Sequence, residues 1–167
     1  IDAYQVDFTG RAAHAGDEPE KGINALKGAA AILCDIREGR LDEESTANWA
    51  VITAGSVTNI VCDDVLIRGE VRSHKDQKVA AYEAYCREHI QKKLMGTGMT
   101  AELEVAPNHG AFFVPDSSLC VRKLAEAFEE CGFRYETEIG GGGMDANLIN
   151  ENGISCVGVA VGYVKNH

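Results

Sequence analysis

"DVLIRGEVRSHKDQKVAAYEAYCREHIQKKL", residues 64–94, changes its apolar period part-way along. Residues 64–73 read as a strand, whereas from Asp76 to Leu94 the apolar set Val79, Tyr82, Cys86, Ile90 and Leu94 marks one face of a helix. Working outward, "NWAVITAGSV" (48–57) is a second strand, joined to the first by "TNIVCD". "AYQVDFT" (3–9) and "TAELEVA" (100–106) alternate in the manner of half-buried strands. Between Gly22 and Gly39 the residues Ile23, Leu26, Ala30, Leu33 and Ile36 recur at helical spacing, and Gly39 suits the stop.

The resulting order, β-α-β-β-α-β, is the ferredoxin-like plan: a four-stranded antiparallel sheet with two helices on one face. The helices are expected to meet the sheet with Leu26, Leu33, Val79, Cys86 and Ile90. Past Pro107 the pattern changes. "NHGAFFVPDSS" is a connector, Cys120, Leu124, Phe128 and Cys131 line a third helix, and "FRYETEI" (133–139) reads as a short strand. A glycine turn, a short helix in "MDANLINENG" and the apolar strand "ISCVGVAV" (154–161) complete it; strands of that kind are usually covered on both faces. The fold class is therefore α+β, with a ferredoxin-like domain over 1–107 and a partial α/β segment over 108–167. The chain opens in a strand-like stretch and stops at "GYVKNH", which reads as cut at both ends.

Composition narrows the function classes. With 26 Asp+Glu against 16 Lys+Arg, the chain lacks the basic surface that nucleic acid or an anionic membrane would require. No apolar run reaches the ~20 residues of a membrane span, and no signal-peptide pattern opens the chain. The six cysteines are dispersed with no C-x-x-C pair, so free buried thiols in a reducing cytoplasm are expected.

Four features carry possible chemistry. In "GRAAHAGDEPEKGINAL" (10–26), His14 stands among Ala12, Ala13, Ala15 and Gly16, just before an acidic turn. Either it bonds a neighbouring loop as a structural residue, or its small neighbours leave the imidazole open to donate to a developing oxyanion. The run Gly140–Gly143 between strand and helix is either a tight turn or an anion cradle of backbone N–H groups. Arg72 ends a strand and Asn59 lies in the loop before it; each is structural, or the two belong to a carboxylate clamp with Arg as the planar fork. His167 is one terminal histidine, and His74, His89 and His109 show no metal-ligand spacing with it or with one another.

Taken in order, "GRAAHAGDEPEKGINAL", "TNIV" with Arg72 thirteen residues after Asn59, "GGGMDANLINENGI" and "GYVKNH" resemble the co-catalytic zinc exopeptidases that include peptidase T, carboxypeptidase G and aminoacylase. The peptidase T-like branch is the most similar, and the resemblance covers essentially all 167 residues. It implies that residues 1–107 are a lid that dimerises, inserted into an α/β catalytic domain holding two zinc ions. By the same resemblance His14 reaches the partner subunit's active site and polarises the scissile carbonyl. Asn59 and Arg72 bind substrate, Arg72 through its free carboxylate; Gly143 holds substrate by its backbone, and His167 ligates a metal. The substrate would be a small peptide or an N-acyl amino acid, and the seam of the homodimer the first helix with the edge strand beside it. The family's remaining metal ligands and its general base are not among these residues, so this chain by itself is expected to be inert. The competing expectation is a stand-alone ferredoxin-like module that dimerises or binds a small ligand without chemistry.

Overall fold

The computed structural model describes residues 1–160. They fall into two compact units, Ile1–Asn108 and a second that begins at His109. The first unit runs β1 (Asp2–Thr9), α1 (Ala25–Leu33), β2 (Gly39–Asp42), β3 (Ser45–Ala54), β4 (Asp64–Ser73), α2 (Asp76–Leu94) and β5 (Thr100–Pro107). All neighbouring strands are antiparallel, in the order β2-β3-β4-β1-β5.

The sheet thus has five strands where the apolar pattern gives four. The extra strand, β2, forms a hairpin with β3, and the Asp42 carboxylate accepts the Glu44 N–H at 3.0 Å to close the turn. "GRLD" holds a single apolar residue, so no period announces it. The helix expected to run to Gly39 ends at Leu33, and Ile36 joins the core from the connector beyond it.

Alternation along β1 buries Tyr4, Val6 and Phe8, which lie on the same side as Val65, Ile67 and Val71 of β4. Both helices cover that side. Val6, Phe8, Val65 and Ile67 pack with Ala25, Ala29 and Ile32 of α1 and with Ile90 of α2; Tyr4, Ala47 and Val71 pack with Val79, Tyr82 and Cys86. Each large side chain so buried contributes about 1.5–3 kcal/mol. The face of α1 is only partly the expected one: Leu33 packs against the core, but Leu26 is 41% exposed, and Ala25, Ala29 and Ile32 are the buried residues. Asn24 caps the helix by accepting the Lys27 N–H at 2.9 Å, which sets its phase, and the two alanines allow close approach to the sheet.

Aromatic polar groups tie the layers. Trp49 Nε1 donates to Tyr82 Oη, and Tyr82 Oη donates to the Arg37 carbonyl, fixing the connector after α1 to both β3 and α2. Gly69 lies opposite Trp49, and a Cβ there would stand 2.5 Å from the Asn48 carbonyl oxygen and 2.8 Å from the indole. At the turn of the β2–β3 hairpin, Lys78 of α2 bridges Asp42 and Glu44. Hydrogen bonding from Lys78 brings the Asp42 carboxyl down to about 2.

In the second unit, α3 (Leu119–Glu130) and α4 (Asp145–Glu151) are the helices among the described residues. The strands expected at 133–139 and 154–161 are not formed among them. A strand needs a neighbouring backbone to complete its ladder, and here an asparagine supplies the partners: Asn150 Nδ2 donates to the Ala146 and Cys156 carbonyls, and its Oδ1 accepts the Cys156 N–H. Ile139 and Ile154 are correspondingly exposed. The thiols also depart from expectation, since Cys34 and Cys131 are exposed and only Cys86 is fully buried. Among the described residues no helix is long and apolar enough to cross a membrane.

Candidate functional site

The loop that follows β1 is pinned on both sides. Gly10 N–H donates to the Asp63 carbonyl at 2.8 Å, and Arg11 exchanges both backbone hydrogen bonds with Ile23. Ala13 O accepts from Val61 N–H, and Ala15 N–H donates to Asn59 O, each at 2.9 Å. Gly10 is required by this packing, because a Cβ there would lie 2.2 Å from the Ile23 carbonyl oxygen. His14 and Asn59, 45 positions apart in sequence (59 − 14), are thereby held in one loop cluster.

The His14 ring is half exposed. Its Nδ1 accepts from Gly16 N–H at 3.2 Å and from Asp17 N–H at 3.1 Å, and the Asp17 carboxylate lies 3.2 Å from the same nitrogen. A Cβ at Gly16 would stand 3.4 Å from Cε1, an ordinary van der Waals contact.

Arg72 is elsewhere. It lies on β4 opposite Thr46, on the face turned away from the helices, and donates from Nε and Nη2 to the two carboxylate oxygens of Glu70. The sequence carries a signal for Glu70: two residues before Arg72 on one strand, it shares the same face. Asn59 precedes the Asp64 end of β4, whereas Arg72 is at its far end. From Asp64 to Arg72 the strand runs roughly 26 Å at about 3.3 Å per residue. The structure brings His14 to Asn59 and keeps both apart from Arg72.

Gly143 belongs to the second unit, in the exposed glycine run before Met144 and α4. That run follows irregular backbone rather than a strand. His167 lies outside the described residues. Among the described residues no group of three or more His, Cys, Asp or Glu side chains is arranged to hold a metal ion. These residues do not fit a zinc centre.

Residues 1–97 match the peptidase dimerisation domain. The chain belongs to this family. As a peptidase dimerisation domain with a further C-terminal segment, it is similar over most of its length to longer proteins. It is 38% identical over 158 residues to the uncharacterised protein YqjE of Bacillus subtilis, covering 95% of this chain and 43% of that protein. Carboxypeptidase G2 of a Pseudomonas species is 30% identical over 149 residues, with 85% and 35% covered. Among solved structures, aminopeptidase PepT of Bacillus cereus superposes with a TM-score of 0.85 at 36% identity, covering 99% of this chain and 44% of that one. The chain thus spans less than half the length of these relatives.

Proposed function

We propose that this chain is the lid, residues 1–107, and part of the catalytic segment, residues 108–167, of a zinc-dependent exopeptidase of the peptidase T-like branch. The reaction is hydrolysis of a peptide or N-acyl amide bond in a small substrate with a free carboxylate. His14 donates to the scissile carbonyl oxygen, Arg72 takes the carboxylate, and Asn59 and the Gly143 backbone hold the substrate. Zinc is assigned to ligands outside the described residues, His167 among them. This chain alone is then inert, and the enzyme that carries it acts as a homodimer.

One observation carries the reading: His14 with Asn59 sits at one end of the sheet and Arg72 at the other. An extended tripeptide spans only about 10 Å, against roughly 26 Å of intervening strand. Two copies supply the groups to one substrate, His14 and Asn59 from one and Arg72 from its partner.

The edge of the sheet supports the pairing. β2 covers only the first residues of β3, so Trp49–Ala54 carries no strand on its outer side among the described residues. Val51 and Ile52 on that edge are about half exposed. A second copy laid edge to edge completes the ladder and covers them.

Complementation tests the reading. In a full-length enzyme carrying this chain, His14→Ala and Arg72→Ala are each expected to abolish most activity. Mixing them under subunit exchange restores one intact site per heterodimer, hence about half the wild-type activity of that species. Absence of any recovery, with heterodimers demonstrated, would put both residues in one copy and defeat the proposal.

A further inference from the structure

The hydrogen bonds around His14 carry an inference about its protonated nitrogen, resting on the proposed role of His14. A neutral imidazole has one N–H and one bare nitrogen, and the partner of one decides the other. At Nδ1 two candidates compete. The N–H groups of Gly16 and Asp17 point at it from 3.2 and 3.1 Å, and need a lone pair there. The Asp17 carboxylate, 3.2 Å away, needs a hydrogen there.

We infer that the backbone amides of Gly16 and Asp17 are positioning groups that keep Nδ1 bare and place the ring hydrogen on Nε2. A hydrogen on Nδ1 would face two N–H donors at once, forfeiting both bonds. The competing carboxylate is 81% exposed, where water and salt screen it, so its attraction is small. Nε2 makes no hydrogen bond to any described residue. The loop therefore presents one outward N–H, the form needed to polarise a carbonyl oxygen and the form a general base could not use. The Asp17 side chain is a bystander in the neutral state.

This assignment explains the sequence around His14 in physical terms. Gly16 and Asp17 sit two and three residues on, where the turn folds their amides back on the ring, and the Glu18 N–H to His14 O bond at 3.1 Å holds that turn closed.

The test uses this chain with 15N-labelled histidine, at a pH where the ring is neutral, and reads both nitrogens by long-range proton–nitrogen NMR. The expected spectrum shows His14 Nδ1 as a bare ring nitrogen and Nε2 as N–H, with no Nδ1–H form detectable. A peptide of residues 10–26 gives the mixture of an unconstrained histidine as the reference. Asp17→Asn, which keeps both amides, is expected to leave the spectrum unchanged. Gly16→Pro, which removes one donor, shifts it toward the peptide mixture. A hydrogen on Nδ1 in the wild-type chain, a mixture like the peptide's, or a tautomer change in Asp17→Asn overturns the inference. None of these readouts requires turnover, so the tautomer stands or falls apart from whether His14 acts in catalysis, which His14→Ala kinetics decide.

Discussion

Arg72 stands two residues beyond Glu70 on the same face of β4 and gives it two hydrogen bonds, Nε to Oε1 at 2.8 Å and Nη2 to Oε2 at 3.1 Å. The side-on edge of the guanidinium is thus engaged, and the Nη1–Nη2 edge is left to form a second fork. Glu70 orients the arginine without using the edge that the proposed substrate carboxylate would take. Glu70→Gln in the full-length enzyme is expected to raise KM about 2- to 5-fold with kcat nearly unchanged, a modest effect because the pair is partly exposed. Glu70→Asp should recover part of it. A lower KM in Glu70→Gln would mean that Glu70 competes with substrate for Arg72 rather than orienting it.

Gly69→Ala tests the packing beneath that strand. The new Cβ meets the Asn48 carbonyl at 2.5 Å as well as the Trp49 ring, and backbone cannot swing aside as a flexible side chain would. The expected loss is roughly 1–3 kcal/mol, the usual range for overpacking. Urea unfolding followed by fluorescence of Trp49 measures it; a variant as stable as wild type would show that the sheet yields freely here.

Much of the first unit was legible because its strands and long helix bury one face each. Val79, Tyr82, Cys86 and Ile90 announce α2, and Tyr4, Val6 and Phe8 announce β1. What failed has local causes. In α1 two of the three buried residues are alanines, which carry little hydrophobic signal, so the exposed Leu26 was counted beside Leu33 on the core face. The short strand β2 owes its place to the Asp42 turn and to the Lys78 bridge from α2, both invisible to a periodic pattern. At the candidate site the residue types around His14 were readable, but the amide donors to Nδ1 are backbone groups, and no side-chain pattern reports them.

Cys86 predicts a loss of stability in alkali. Burial pushes its thiol up to about 11 from its ordinary 9.0. Below about pH 9 the thiol is neutral in both states and the contribution is complete. Between 9 and 11 the unfolded chain releases its proton and the folded one does not, so unfolding is favoured as pH rises. The loss is on the order of 2 kcal/mol by pH 11. Burial also raises Tyr4 and Tyr82, which add to the decline above their ordinary range. Cys86→Ala should shrink the difference in unfolding free energy between pH 8 and 11, whatever its effect at pH 8. An unchanged difference would assign the whole decline to the tyrosines.

The open edge of β3 gives the last prediction. If a second copy pairs along Trp49–Ala54, a charge introduced there is set beside the partner strand's side chains and loses part of its water, whereas on a free edge it would stay hydrated. Val51 is 46% exposed and touches neither core cluster, so Val51→Lys should change the stability of a single copy by no more than about 0.5 kcal/mol. Circular dichroism and thermal unfolding at low concentration establish that the variant is folded. Sedimentation equilibrium then reads association: the wild-type chain is expected to dimerise at micromolar concentration, and Val51→Lys to weaken the dimer at least 10-fold. A control on the opposite edge, Glu102→Lys in β5, should leave association unchanged, since that strand lies four positions across the sheet from β2. Equal weakening by both lysines would point to net charge rather than to the edge. A Val51→Lys dimer as tight as wild type would move the seam away from β3.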